Sequence, residues 1–359
     1  MRNDLPYWLA LRAYEKFGPR SFERLLLKFE TMEEAFHASR EALLDADLTT
    51  LAVDSFLHLR EDIHPEALVA DLERHHLTAI TKCDEEYPAL LGTIYDPPPV
   101  LFIAGTLPPA EIAHVAIVGS RKASPYGLRI AAQMSEELAE AGCVIVSGLA
   151  YGIDEAAHSA TLKTKGLTVA VLACGHNQLI GRARYLAQKI VEAGGAVISE
   201  FPLHTPAHSF HFPIRNRIIS GMSQGTLIVE ATNDSGSLIT ARSALEQGRD
   251  VFAIPGNIDS PTSVGTNGLL KVGAYPTTSS QDILDVLRIE KRPDATRAPI
   301  TPDSADEAAI LPFLSQTPVH IDDLVHASAL GIATVASTLT LMEIKGRVRH
   351  VGGMFYILV

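Results

Sequence analysis

Three short segments carry the groups with which this chain could grip an anion. They are Gly119-Ser120-Arg121-Lys122, Phe212-Pro213-Ile214-Arg215-Asn216-Arg217, and Ser235-Gly236-Ser237 followed by Arg242. A guanidinium offers several donors in a fixed fork that matches phosphate or carboxylate oxygens. A tight glycine turn entering a helix adds backbone N–H groups and the positive end of the helix dipole, so the first segment predicts a phosphate site at that helix N-terminus. The serines of the third predict a second row of N–H donors, with which simple helix capping could coexist. Arg215 and Arg217 bracket an amide ahead of the apolar run Thr226-Leu227-Ile228-Val229. That setting predicts charges held against a rigid surface, where they could also pair with carboxylates.

Asp154 and His158 lie four residues apart and share a helix face, the spacing of an acid–base pair. Asp154 also stands where a first-turn carboxylate meets the helix dipole, and His158 is expected to satisfy it there, a structural pairing. The loop after the first strand has one glycine where the dinucleotide fingerprint needs three, and the second strand ends in Ser147-Gly148 rather than an acidic residue. The Gly-Lys-Ser/Thr phosphate loop is missing. Cys83, Cys143 and Cys174 are scattered, so neither disulfide nor metal site is expected. No catalytic residue or cofactor is expected either.

These segments need a scaffold that sets them along one edge. Val- and Ile-rich runs at 115–118, 144–147, 168–172, 196–199, 226–230 and 251–254 alternate mostly with helical patterns. Such runs predict a doubly wound α/β domain, a parallel sheet with helices on both faces. Ligands of such sheets sit outside the carboxyl ends of the strands, where these loops fall. Residues 1 to about 75 read as a small all-α domain whose Gly18-Pro19 is a plain interhelical turn rather than a clamp on DNA phosphate. The stretch from Tyr87-Pro88 to Asp96-Pro97-Pro98-Pro99 is too proline-rich for a helix, and Val100–Gly105 reads as a strand. A polar linker begins at Arg288. Beyond it, three short helices and a hairpin make a winged-helix pattern whose third helix carries Thr334, Ser337 and Thr338 in place of arginine, favouring protein contact or a structural role over duplex DNA. The expected boundaries are 1–80, 81–287, 288–303 and 304–359.

The 359 residues carry a formal net charge of −12, a field that repels polyanions at long range, so any nucleic-acid binding must be local. Basic clusters occur at Arg121/Lys122, Arg182/Arg184, Arg215/Arg217 and Lys345/Arg347/Arg349. No apolar run reaches the roughly 20 residues that span a bilayer. The start lacks a secretory pattern, so a cytoplasmic location is expected. Several anion-suited loops on one edge predict a ligand with repeated phosphates, and Phe210, Phe212 and Tyr126 could stack on unpaired bases or pack in a core. Single-stranded nucleic acid fits that combination.

Gly119-Ser120-Arg121, Ser147-Gly148-Leu149-Ala150-Tyr151-Gly152-Ile153-Asp154, Arg215-Asn216-Arg217-Ile218-Ile219-Ser220-Gly221 and Ser235-Gly236-Ser237-Leu238-Ile239-Thr240-Ala241-Arg242 together resemble the DNA-processing protein A (DprA or Smf) family over about residues 80 to 287. The flanks are similar in layout to members with a sterile-alpha-motif-like helical domain before, and a winged helix after, an extended Rossmann-like sheet. The resemblance implies a cytoplasmic homodimer without catalysis. It implies binding and protection of incoming single-stranded DNA during natural transformation, weaker binding of duplex DNA, and help in loading the RecA recombinase. By motif it implies DNA-site residues Gly119, Ser120, Arg121, Lys122, Gly148, Phe212, Arg215, Asn216, Arg217, Ser235, Gly236, Ser237 and Arg242. Among them, Arg121 would contact the backbone, and Arg215 and Arg217 would line or brace the pocket. Two other readings stay open. One is a phosphoribohydrolase of the lysine-decarboxylase-like Rossmann group, whose compact Pro-Gly-Gly, Gly-Thr and acidic pattern is split here between Pro255-Gly256-Asn257 and Gly265-Thr266. The other is a winged-helix transcription regulator with a ligand-sensing α/β domain.

Overall fold

The computed structural model describes residues 4–290, 302–315 and 318–358, in two compact units, Met1–Lys291 and Arg292–Val359. Most of the expected linker at 288–303 lies outside the described residues. The first unit opens with six helices: α1 (Leu5–Ala13), α2 (Pro19–Lys28), α3 (Met32–His37), α4 (Arg40–Asp45), α5 (Thr50–Leu59) and α6 (Pro65–Arg74). Thr31, Ser39 and Thr49 open α3, α4 and α5 by accepting from backbone N–H groups of the first turn, which satisfies donors a helix start otherwise leaves unpaired. Their core of Trp8, Phe17, Phe22 and Phe56 is fully buried and continues onto Val100, Phe102 and Leu203.

There follow β1 (Thr78–Thr81), α7 (Ala89–Gly92), β2 (Val100–Gly105), β3 (His114–Val118), α8 (Pro125–Glu140), β4 (Val144–Ser147), α9 (Ile153–Lys163), β5 (Thr168–Val171), α10 (Gly181–Glu192) and β6 (Ala196–Ser199). The unit ends with α11 (His211–Gly221), β7 (Gly225–Ile228), α12 (Gly236–Glu246), β8 (Asp250–Ala253), α13 (Val264–Lys271), β9 (Tyr275–Pro276) and α14 (Ser280–Leu287). The boundary expected at 80–81 falls inside β1. The proline-rich stretch expected to be free of helix contains the single turn α7, because its prolines stand at the borders, with Pro88 as N-cap, and leave Ala89-Leu90-Leu91-Gly92 able to close it.

Nine strands form one sheet in the order β1-β2-β6-β5-β4-β3-β7-β8-β9. From β6 to β9 every pairing is parallel, while β2 lies antiparallel on β6, and β1 on β2. Alternation along β3 feeds both faces: Val115 and Ile117 pack with Ala131, Met134 and Leu138 of α8, whereas Ala116 and Val118 pack with Ile218 and Ile219 of α11 and Ala241 and Ala244 of α12. The chain winds outward from β3 to β6 and then returns to place β7 on the other side of β3. Their following helices cover opposite faces, so a crevice opens where the winding reverses.

Arg217 ties the layers together. It is buried, donates to the backbone oxygen of Asp96 at 2.6 Å, and pairs with the carboxylates of Asp96 and the buried Glu200. The Glu200 carbonyl in turn accepts from Arg12 on α1 at 3.0 Å. His158 does not meet Asp154 as expected. Its Nδ1 lies 2.7 Å from the Thr168 hydroxyl on β5, and burial, helped by the charge of Arg215, pulls its pKa down to about 3. Asp154 instead accepts from the Gly148 N–H at 3.1 Å.

The second unit contains α15 (Ala305–Ile310), β10 (Val319–His320), α16 (Ile321–Ser328), α17 (Ile332–Ile344), β11 (Val348–Gly352) and β12 (Phe355–Leu358), with the small sheet ordered β10-β12-β11. Three helices and a hairpin wing reproduce the expected pattern. Within it Lys345 and Arg347 each pair with both Asp303 and Glu307 at 2.6–3.1 Å, so two of its three clustered basic residues are neutralised within the unit.

Removing one partner of a buried pair leaves the other charge uncompensated. Arg217→Met should therefore cost about 3–5 kcal/mol of stability in urea unfolding, and adding Glu200→Gln should recover part of that loss. As pH falls below about 6.5, the unfolded chain gains a proton that folded His158 refuses, so stability should fall by about 1.4 kcal/mol per pH unit toward pH 3. Unfolding of His158→Gln, which keeps a partner for Thr168 and has no proton to gain, should show a shallower dependence by one proton.

Candidate functional site

The crevice at the reversal is a cavity of about 620 Å³ bounded by the β3–α8 loop, the β7–α12 loop and the start of α11. Gly119, Ser120, Arg121, Lys122, Phe212, Arg215, Asn216, Ser235, Gly236 and Ser237 all line it. Gly148 lies behind it, and Arg217 and Arg242 are not among its lining residues.

Pro213 falls in the first turn of α11, where its missing N–H costs no helical hydrogen bond. The helix then carries Arg215 and Arg217, two residues apart and hence on different faces. Arg217 turns to Glu200 and Asp96. Arg215 turns under the strand ends, donating to the carbonyls of Gly148 at 2.6 Å and Val171, and to the Asn216 side chain at 3.2 Å. A side chain at position 148 would collide with it, since a Cβ there would lie 2.6 Å from the guanidinium. Burial pulls Arg215 down to about 10, opposed by Asp154, so it stays charged at neutral pH. Asn216 bridges to the next loop by donating to the Gly236 carbonyl at 3.1 Å.

The expected phosphate site at the α8 N-terminus is already filled by a protein carboxylate. Buried Glu230, just beyond β7, accepts from the Ser124 N–H at 2.9 Å, the Ser124 hydroxyl at 2.6 Å and the Thr262 hydroxyl at 3.0 Å. Its own carbonyl accepts from the Ser120 N–H at 2.8 Å. The β3–α8 loop is thus clamped to β7 by one residue. Gly152 completes the packing with φ +84°, in the left-handed region, where an added Cβ would lie 2.4 Å from the Ser120 carbonyl. Ser235 caps α12, its hydroxyl 2.7 Å from that of Ser237.

What the loop offers the cavity is therefore the Arg121 side chain. It is exposed, it has no carboxylate partner among the described residues, and its guanidinium lies over the half-buried Phe212 ring at 4.3 Å, a cation–π contact that orients the fork. Lys122 is exposed beside it. Phe210 is 61% exposed and stacked on His208, while Tyr126 lines a separate cavity with Pro255 and Gly256. Arg242 is exposed on α12. The sequence reading missed Glu230 as a clamp and Asp154 as a lining group. A carboxylate closing an apolar strand is the signal for the first.

The profile of the DNA recombination-mediator protein A family matches residues 78–288, and that of the DprA winged helix domain residues 293–354. Protein Smf of Escherichia coli is 40% identical over 98% of this chain and 95% of its own length. The DNA processing protein DprA of Bacillus subtilis is 35% identical over 73% and 90% respectively. Among solved structures, DNA processing protein A of Streptococcus pneumoniae superposes with a TM-score of 0.66 at 35% identity, covering 77% of this chain and 95% of that one. The Helicobacter pylori protein, solved for its single-stranded DNA binding mode, gives 0.52 at 28% identity, covering 59% and 95%. Fold, motif order and near end-to-end similarity agree, and the chain belongs to the DNA recombination-mediator protein A family.

Proposed function

We propose that this chain is a single-stranded-DNA-binding recombination mediator that takes the strand's phosphates along the switch-point cavity, acting in the cytoplasm as a homodimer. On this reading it protects incoming DNA during natural transformation and helps load the RecA recombinase, without catalysis of its own. The observation that carries the proposal is Arg121, a guanidinium with no carboxylate partner among the described residues, oriented over Phe212 at the rim of a cavity bordered by strand-end loops. In a protein of net charge −12, an exposed arginine at the ligand edge of the sheet supplies the local attraction that the whole surface does not. Family membership and the single-stranded DNA binding mode of the Helicobacter pylori relative support the same ligand. Use of Glu230 as a loop clamp favours binding over hydrolysis. Neutralised Lys345 and Arg347 favour a winged helix that contacts protein over one that reads duplex DNA.

Titration of labelled single-stranded and duplex DNA at several salt concentrations tests this. Single strands should bind more tightly, with little sequence preference. Arg121→Ala should weaken binding and lower the salt slope by about one, while Arg242→Ala, outside the cavity, should leave affinity unchanged. Equal affinity of Arg121→Ala and parent, or a preference for duplex, would overturn the assignment. For the recombinase, adding the chain to RecA and a strand already covered by single-strand-binding protein should speed filament assembly; no acceleration would remove the loading role.

A further inference from the structure

The segment between β6 and α11 delivers Phe212 to the cavity, and its anchors lie on the N-terminal helices. Arg12 of α1 donates to the Glu200 carbonyl and stands 5.9 Å from the centre of the Phe201 ring. Leu203 is buried in the helical core. His204 Nε2 lies 2.9 Å from Oδ2 of Asp71 on α6. A carboxylate only accepts, so that nitrogen carries the hydrogen, and Nδ1, 3.1 Å from the Asn177 amide nitrogen, accepts. Asp71 keeps its other oxygen on Arg74 at 2.9 Å, and His75 of the same helix meets the His204 ring edge-on at 5.9 Å.

Two threads run on from these anchors. Phe201 stacks on His211 at 4.1 Å, and His211, whose Nδ1 lies 3.2 Å from the Ala173 carbonyl oxygen, opens α11 immediately before Phe212. The other thread is the loop after β5, where Asn177 N–H donates to the Leu203 carbonyl at 3.2 Å and Gly175 N–H to the Thr205 carbonyl at 2.9 Å. Between these holds, residues 206–210 are all exposed, and Ser209 lines the cavity. With so little of that stretch buried, its course is set by where its ends are held.

We propose that Asp71 and His204 are a positioning pair through which the N-terminal helices hold residues 201–210, and with them Ser209 and Phe212, where a bound single strand needs them; the proposal rests on the single-stranded DNA reading above. Magnitude separates this role from one in folding. The His204 side chain is 59% exposed, and exposed pairs add little to global stability. Acting on one loop conformation alone, the same small energy changes how often the loop is in place. Charge separates it from direct binding. A carboxylate can only repel a polyanion, so whatever Asp71 adds to DNA affinity comes from position.

Oligothymidylate titrations at several salt concentrations test the pair. Asp71→Ala should weaken binding by roughly two- to five-fold, the reach of one such pair, even though it removes a negative charge. The salt slope should stay unchanged, because no phosphate contact is lost. Asp71→Asn removes the same charge but keeps an oxygen for His204, so it should bind at least as tightly as the parent. In a His204→Ala background, adding Asp71→Ala should cost nothing further, the signature of two groups acting as one. Amide exchange at Gly175 and Asn177 should quicken in Asp71→Ala and not in Asp71→Asn, while the urea midpoint stays near that of the parent. Asp71→Ala binding as tightly as the parent, or the same as Asp71→Asn, would overturn the pair and leave the strand-binding role standing. A urea midpoint that falls with affinity in both Asp71→Ala and His204→Ala would also overturn it, assigning the pair to folding. A parent that binds no oligothymidylate would overturn both proposals.

Discussion

The candidate site depends on one buried guanidinium. Arg215 lies under the carboxyl ends of β4 and β5, where it gathers the carbonyls of Gly148 and Val171 and faces the field of Asp154. A buried charge is tolerated when hydrogen bonds and an opposite charge replace its water. This one needs a neighbour without a side chain, and Gly148 provides the space. By fixing the first turns of α11 against the strand ends it sets where Phe212 stands, and Phe212 in turn orients Arg121. Arg215, expected from the sequence to line or brace the pocket, is thus placed to hold Arg121 in position.

How much of this was legible follows from how local each signal is. The parallel strands announce themselves through short Val- and Ile-rich runs, because both faces of β3, β4 and β7 are buried. β2 was readable as the run Val100–Gly105, but its antiparallel place in the sheet, with β1 beside it, left no such trace. β2 pairs with β6, almost a hundred residues away, and no local pattern encodes that partner. The cavity's lining residues were largely readable, since ligand sites in such sheets follow from strand order. The separation of Arg215 from Arg217 was not, because it depends on α11 beginning at His211, two residues before a proline. Glu230 was only half visible: a carboxylate closing an apolar strand marks the position, but the sequence does not show whether it meets solvent or the next helix.

Charge is used sparingly around this framework. Arg24, Arg40, Arg182, Lys345 and Arg347 all have carboxylate partners, and Arg215 and Arg217 are buried. Arg121 has no carboxylate partner among the described residues and stands on the cavity rim, which is what sets it apart. Glu230 behind the β3–α8 loop and Asp154 in the cavity wall are drawn into loop contacts with Ser124, Thr262 and Gly148. Their pairing leaves the basic rim less opposed than the composition implies.

The helical core at the start of the chain is incomplete by itself. Trp8, Phe22 and Phe56 share their cluster with Val100, Phe102 and Leu203, and Arg12 needs the carbonyl of Glu200. During synthesis, which proceeds from the N-terminus, those helices must wait until the chain past β6 has emerged before their last apolar surface is covered. Loop closure over such separations is slow relative to helix formation. The nascent protein therefore carries uncovered apolar surface on its opening helices until that part of the sheet has been made.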